Sequence, residues 1–143
     1  MSRYISPKNR LFVQKRASFC CEYCLVPEIF SFIGYELDHI ISKKHGGGNE
    51  TDNLAWSCAF CNYRKGTDIG TVLLPSMKLV RFFNPRNDTW NEHFEVSGTL
   101  ILPKSEIAEG TIKIFQFNQI DRLLERETFV NAGLYPPQLI QPN

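Results

Sequence analysis

Two cysteine pairs with the same spacing constrain this chain more than any other feature. Cys21-Glu-Tyr-Cys24 and Cys58-Ala-Phe-Cys61 are both C-x2-C, and 33 residues separate them. A tight turn with cysteines three positions apart presents two sulfurs to one tetrahedral ion, so two such turns complete a closed four-thiolate zinc site. The gap exceeds the roughly 15–20 residues of a plain zinc ribbon, which implies a structured insert between the knuckles. A disulfide framework fits poorly: the cysteines number five, and the start of the chain has no apolar stretch of signal-peptide type. A redox dithiol is the other use of a single C-x2-C pair, but two pairs in one region favour zinc. Cys20 could stand in for Cys21, yet only Cys21 keeps the two-residue spacing to Cys24; Cys20 is expected to be a small buried apolar residue.

The rest of the composition bounds the class. A chain of 143 residues is one domain, or a small domain with an extension. With 43% apolar and 22% charged residues it is not a mostly disordered chain. No apolar run approaches the roughly 18 residues of a membrane span, so a membrane partner is not expected and the chain reads as cytoplasmic. The net charge of +1 neither announces nor excludes nucleic acid. Residues 1–70 hold 9 basic and 7 acidic side chains, and residues 71–143 hold 7 and 8. Arg3, Lys8, Arg10, Lys15 and Arg16 precede the first acid, a segment that suits either phosphate contact or a solvated helix face.

Local patterns predict an α+β protein. Ser6 caps a first helix with Pro7 at its first position, ending near Ala17. The aromatic run Phe30–Leu37 reads as a strand leading into Asp38–Ile41. Gly46–Gly48 form a loop, Thr51–Trp56 a short strand or turn, and Cys61–Lys65 the start of a helix closed by Gly66. Beyond residue 70, strands are expected at Lys78–Phe83 and Thr99–Leu102. Ser105 caps a helix to about Phe117, and Asn118 caps another that carries Leu123, Leu124 and Phe129 and stops near Gly133. The predicted division is residues 1–70, with a finger core at about 20–66, and an extension over 71–143.

Within the insert stand Asp38-His39, then Asn53, then Asn62 directly after the last cysteine. Together with Leu37-Asp38-His39-Ile40-Ile41, Gly46-Gly47, Asn53-Leu54, Cys58-Ala-Phe-Cys61-Asn62 and Lys65-Gly66, this run resembles the HNH endonucleases, metal-dependent nucleases built on a ββα-metal finger. The likeness covers roughly residues 20–66. The flanks, Ile5-Ser-Pro7, Cys24-Leu-Val-Pro-Glu28, Phe83-Asn-Pro-Arg86 and Trp90-Asn-Glu-His93-Phe94, are similar to small stand-alone proteins of that family. Two positions depart from the common pattern: Ser42 replaces a frequent proline, and Asn62 stands where many members have histidine.

The resemblance implies a zinc-stabilised HNH finger with an N-terminal helix and a C-terminal extension of short strands and two helices. It implies a metal-dependent endonuclease that leaves 5′-phosphate and 3′-hydroxyl ends on DNA, with His39 as general base and Asn53 holding the loop that orients it. The residue chemistry agrees. An imidazole can accept a proton from water near neutral pH. Asp38 and Asn62 offer oxygen ligands, which suit Mg²⁺ or Mn²⁺ rather than a thiophilic ion. The structural zinc would be a second, separate ion on Cys21, Cys24, Cys58 and Cys61. A finger of about 45 residues buries too little to order itself without such a staple. Lys43, Lys44, Arg64 and Lys65 are candidates for phosphates beside the cut. His45 is expected to be exposed, His93 to bond within the C-terminal region, and Trp56 and Trp90 to lie in the core. The alternatives are a non-catalytic zinc-dependent nucleic-acid-binding module and a nuclease acting mainly on RNA. Either a monomer or a homodimer is compatible with the apolar helix faces of the extension.

Overall fold

A computed structural model describes residues 4–138; Arg3 of the basic N-terminal segment lies outside them. Helix α1 (Pro7–Arg16) starts where Ser6 accepts a hydrogen bond from the Asn9 amide, with proline at its first position, and it ends at Ala17. The first knuckle follows. Strand β1 (Glu36–His39) then pairs antiparallel with β2 (Leu54–Ser57), in a register that places Glu36 opposite Ser57 and His39 opposite Leu54. Two single turns of 3₁₀ helix, Lys43–His45 and Thr51–Asn53, lie between them. Helix α2 (Ala59–Lys65) follows directly, and the Cys58 sulfur accepts the Cys61 amide at its first turn. This ββα unit holds the candidate site.

The C-terminal half is built from two hairpins and three helices. β3 (Gly70–Leu73) pairs with β4 (Lys78–Arg81), and β5 (Phe94–Ser97) pairs with β6 (Leu100–Pro103). The single-turn α3 (Trp90–His93) precedes β5, and α4 (Glu106–Phe115) and α5 (Ile120–Asn131) follow β6. Ser105 caps α4 by accepting the Ala108 amide. Helix α4 lies against the first hairpin so closely that a Cβ on Gly110 would stand 2.7 Å from a Val80 methyl, which explains a glycine inside a helix. No helix among the described residues is long and apolar enough to cross a membrane.

One continuous hydrophobic cluster joins both halves, from Val13, Cys21 and Trp56 to Phe94, Phe115 and Phe129. Aromatic contacts carry it across: Tyr23 in the first knuckle meets Phe115 at 5.0 Å between ring centroids, and Phe115 meets Phe82 edge-on at 5.2 Å. Trp90 Nε1 donates to the Tyr23 carbonyl, and the Tyr135 hydroxyl donates to the Cys24 carbonyl.

Several local expectations are corrected. The strand predicted over Phe30–Leu37 is confined to Glu36–His39, because β2 offers only four pairing positions before Cys58 turns the chain. Residues 30–34 have no strand partner and are exposed, Phe32 completely. The pairing strands β3 and β5 were not expected, since their short runs lack a clear alternation. Asn118 does not cap α5; Gln119 holds that position without a side-chain bond. The Asn118 amide instead pairs with both backbone groups of Ile101. Helix α5 does not bury an apolar stripe of Leu123, Leu124 and Phe129. It buries Arg122, Arg126 and Phe129, and Leu124 is exposed.

Candidate active site and zinc centre

The two knuckles meet as their spacing requires. The sulfurs of Cys21, Cys24, Cys58 and Cys61 all lie within 4.8 Å of one another, and all four residues are buried. A tetrahedral ion with metal–sulfur distances of about 2.3 Å has sulfur–sulfur edges of about 3.8 Å, and Cys24 and Cys58 stand 3.8 Å apart. The cluster therefore fits a structural zinc. Cys20 is buried outside it, where its thiol faces the Ser18 carbonyl.

The ββα unit brings three expected residues to one cleft of about 450 Å³: Asp38 and His39 from the end of β1, and Asn62 from α2. Lys43 and Lys44 line the same cleft. Asp38 is almost wholly buried. Its Oδ2 accepts the Tyr23 hydroxyl at 2.5 Å, and its Oδ1 lies 3.3 Å from Lys65 Nζ. Burial pushes the Asp38 carboxyl above the usual carboxylate range, and the Lys65 cation and the Tyr23 hydroxyl oppose that rise. Tyr23 is itself held in its protonated, donating form by burial and by the Asp38 charge.

His39 Nε2 stands 2.8 Å from Asn49 Oδ1. An amide oxygen can only accept, so this contact places the ring proton on Nε2 and leaves Nδ1 as the acceptor nitrogen. The side-chain hydrogen bonds of Asn53 go to the backbone rather than to the imidazole. Asn53 brackets the loop: Oδ1 accepts the Ile41 amide, and Nδ2 donates to the Ile41 and Gly48 carbonyls, all at 2.9 Å. The loop passes so near Ile41 that a Cβ on Gly47 would stand 1.7 Å from the Ile41 oxygen. Only glycine admits that approach. Asn53 thus sets the loop and Asn49 reaches the ring.

Asn62 Nδ2 donates to Glu36 Oε2 at 2.5 Å, so its Oδ1 is the amide atom left for a ligand. The four basic candidates separate. Lys43 and Lys44 line the cleft. Arg64 turns toward Gln119 and the Tyr63 ring. Lys65, expected at a phosphate, is 2% exposed and donates to the His39 carbonyl at 2.8 Å as well as facing Asp38. A buried carboxylate next to it draws the ammonium inward. In the N-terminal segment, Arg16 donates to the Thr51 and Leu54 carbonyls, and Arg10 donates to the Tyr35 carbonyl and covers the Trp56 ring, whereas Lys8 and Lys15 are exposed. His45 is exposed, and His93 bonds to Ser105. Both tryptophans are core residues.

Tyr23, Glu36, Asn49 and Arg122 were not singled out from the sequence. Glu36 had a usable signal, since residues two apart on a strand share a face, which Glu36 does with Asp38. Asn49 follows the glycine run that folds it back. Tyr23 and Arg122 had no local signal.

Comparison with known proteins gives one family: the HNH endonuclease model matches residues 21–68. No curated protein and no solved structure gives a significant match. The matched segment begins at the first thiol of the cluster and runs through β1, β2 and α2, so the family's pattern and the geometry coincide on the same residues. Over residues 21–68, about a third of its length, this chain is therefore similar to the HNH endonuclease domain.

Proposed function

We propose that the protein is an endonuclease that hydrolyses phosphodiester bonds in DNA with one catalytic divalent cation, Mg²⁺ or Mn²⁺, leaving 5′-phosphate and 3′-hydroxyl ends. The observation that carries this reading is the joint placement of Asp38, His39 and Asn62 on the cleft that also holds Lys43 and Lys44.

The donor set fits such an ion. Asp38 accepts one hydrogen bond on each oxygen, which leaves lone pairs on both. Glu36 engages the amide nitrogen of Asn62 and frees the amide oxygen. Hard oxygen ligands with room for water and phosphate suit Mg²⁺ or Mn²⁺. When bound, the cation supplies charge neutralisation at the phosphate and at the departing 3′ oxygen.

The chain's own residues do the rest. Asn49 holds the imidazole with its proton on Nε2, so His39 Nδ1 receives the proton of the attacking water. Asn53 fixes the loop that carries Asn49. Tyr23 and Lys65 hold the Asp38 carboxylate in place, and Lys65 also ties down the His39 carbonyl. Lys43 and Lys44 bring positive charge to the rim, where flanking phosphates would lie.

The test is incubation of the zinc-loaded protein with supercoiled plasmid, and in parallel with structured RNA, plus Mg²⁺ or Mn²⁺. Nicked or linear plasmid with ligatable ends is expected, and His39→Ala should abolish it while leaving the zinc content intact. Cleavage of RNA alone would move the substrate to RNA. Retained binding without cleavage would leave a nucleic-acid-binding module, and cutting by His39→Ala at the wild-type rate would remove the assigned base.

A further inference from the structure

Arg122 lies on α5, 98 positions along the chain from Cys24, yet its guanidinium is buried against the thiol cluster. Nη2 donates to Cys24 Sγ at 3.1 Å and lies 3.6 Å from Cys58 Sγ. Nη1 lies 3.6 Å from Cys58 Sγ and 3.9 Å from Cys61 Sγ. The Phe60 ring covers the guanidinium at 4.9 Å, and Nε donates to Glu125 Oε1 at 3.2 Å. Cys21 is the one member of the cluster that Arg122 does not reach.

The charges explain the arrangement. Four thiolates around a divalent ion leave an excess of negative charge, and this cluster is closed off from water. Buried charge without compensation is costly. A guanidinium is well suited to such a place, because it stays charged and its planar fork spreads donors over several acceptors. The dependence also runs the other way. Apart from the sulfurs, the partly exposed Glu125 is the one anionic partner of Arg122 among the described residues, so the buried guanidinium itself depends on the metal site for compensation.

We propose that Arg122 is part of the zinc centre: an outer cation whose guanidinium contacts the Cys24, Cys58 and Cys61 sulfurs and offsets the charge of the metal site, so that zinc retention depends on the C-terminal helix α5. The proposal rests on the zinc reading of the cluster and is independent of the nuclease reading. It gives residues 71–143 a defined role, since removing α5 removes the cation from the metal site. The matched family segment ends at residue 68, so the contribution comes from outside it.

The experiment uses the full-length chain loaded with zinc. Arg122→Met keeps the approximate volume and removes the charge, and Arg122→Lys keeps the charge and removes the fork. Arg126→Met is the packing control, because Arg126 is a buried arginine on the same helix that bonds to the Thr99 carbonyl and Asn118 rather than to sulfur. Zinc per chain is measured by elemental analysis, and zinc transfer to a chromophoric chelator gives the release rate. The thiolate-to-metal absorption of the Co²⁺-substituted protein reports the ligands directly. Altering groups that hydrogen-bond to metal ligands typically costs roughly 10–100-fold in affinity. Release from Arg122→Met is therefore expected to be at least about tenfold faster than from wild type, with Arg122→Lys between the two and Arg126→Met near wild type. If Arg122→Met does not fold, the lysine variant decides. Release from a folded Arg122→Met at the wild-type rate, release from Arg122→Lys at the wild-type rate where Arg122→Met does not fold, or release from Arg126→Met as fast as from either Arg122 variant, overturns the proposal. A wild-type chain that carries no zinc overturns it with the zinc reading itself, whatever the plasmid assay shows.

Discussion

Lys65 provides the sharpest test of how the cleft is held together. Its ammonium and the Asp38 carboxylate are 2% and 3% exposed and 3.3 Å apart, and the same ammonium donates to the His39 carbonyl at 2.8 Å. Lys65→Met keeps the aliphatic packing and removes the cation. The Asp38 charge is then buried with only the Tyr23 hydroxyl to satisfy it, and the His39 carbonyl loses a donor. Removing one partner of a buried pair costs about 3–5 kcal/mol, and most of that reflects the charge left behind. For a chain of this size each kcal/mol moves the melting temperature by roughly 3 °C, so a fall of about 10 °C or more is expected. The assay is urea and thermal unfolding of zinc-loaded protein, followed by tryptophan fluorescence, with Trp56 and Trp90 both in the core. The second arm is the double variant Lys65→Met with Asp38→Asn, which has no buried charge at this position and keeps an acceptor for Tyr23. It should recover stability to within about 1.5 kcal/mol of wild type, although it should not cut DNA. A single Lys65→Met variant within about 1 kcal/mol of wild type, or a double variant no more stable than the single one, would refute the argument that uncompensated charge dominates.

Other outcomes follow from the same geometry. Cys58→Ser should deplete zinc while Cys20→Ser leaves one zinc per chain, as read by elemental analysis of freshly purified protein. Asn49→Ala should lower kcat for plasmid cleavage at least about tenfold, a part of the roughly 10²–10⁴-fold that a positioned general base contributes, with little change in KM. An unchanged kcat would mean that the loop bond to His39 is idle. Burial tends to raise the Asp88 carboxyl, but the Arg81 fork, the Asn84 amide and the Arg81 charge outweigh it and hold the group below its ordinary value. A depressed folded-state value gives stability that is present above the unfolded carboxyl range and is lost as pH falls through the folded value. The stability gap between wild type and Asp88→Asn should therefore be full at neutral pH and close progressively below about pH 4, as followed by denaturant melts across pH. A fragment ending at Thr71 would cut through β3 and lose Trp90, Phe94, Phe115 and Phe129 from the shared core. It should bind zinc weakly and fail to give a cooperative melt, and a soluble, zinc-bound, cleaving fragment would contradict this.

What could be read from the sequence had its cause close at hand along the chain. Two cysteines three positions apart fix a metal-binding turn by covalent geometry, so the four-thiol cluster was legible before any fold was known. Ser6 and Ser105 cap their helices because an N-cap needs only the amides two or three residues ahead. Asp38 and His39 are neighbours on a strand, and Asn62 follows a zinc ligand directly, so the outline of the cleft was legible as well.

The tertiary structure decided which polar groups are buried and who compensates them. Lys65 looked like a surface lysine and turned inward, because a buried carboxylate 27 positions away could pair with it. Arg122 and Arg126 share the buried face of α5 with Phe129, while Leu124 is exposed, because acceptors on distant segments await the two arginines. Asn118 left its expected cap for Ile101, 17 positions earlier. The aromatic run at residues 30–34 stayed out of the sheet for want of a strand to pair with. Charge and hydrogen-bond satisfaction are properties of pairs. When the partner lies tens of residues away, no local pattern records it, and only the folded chain shows which partner each group has found.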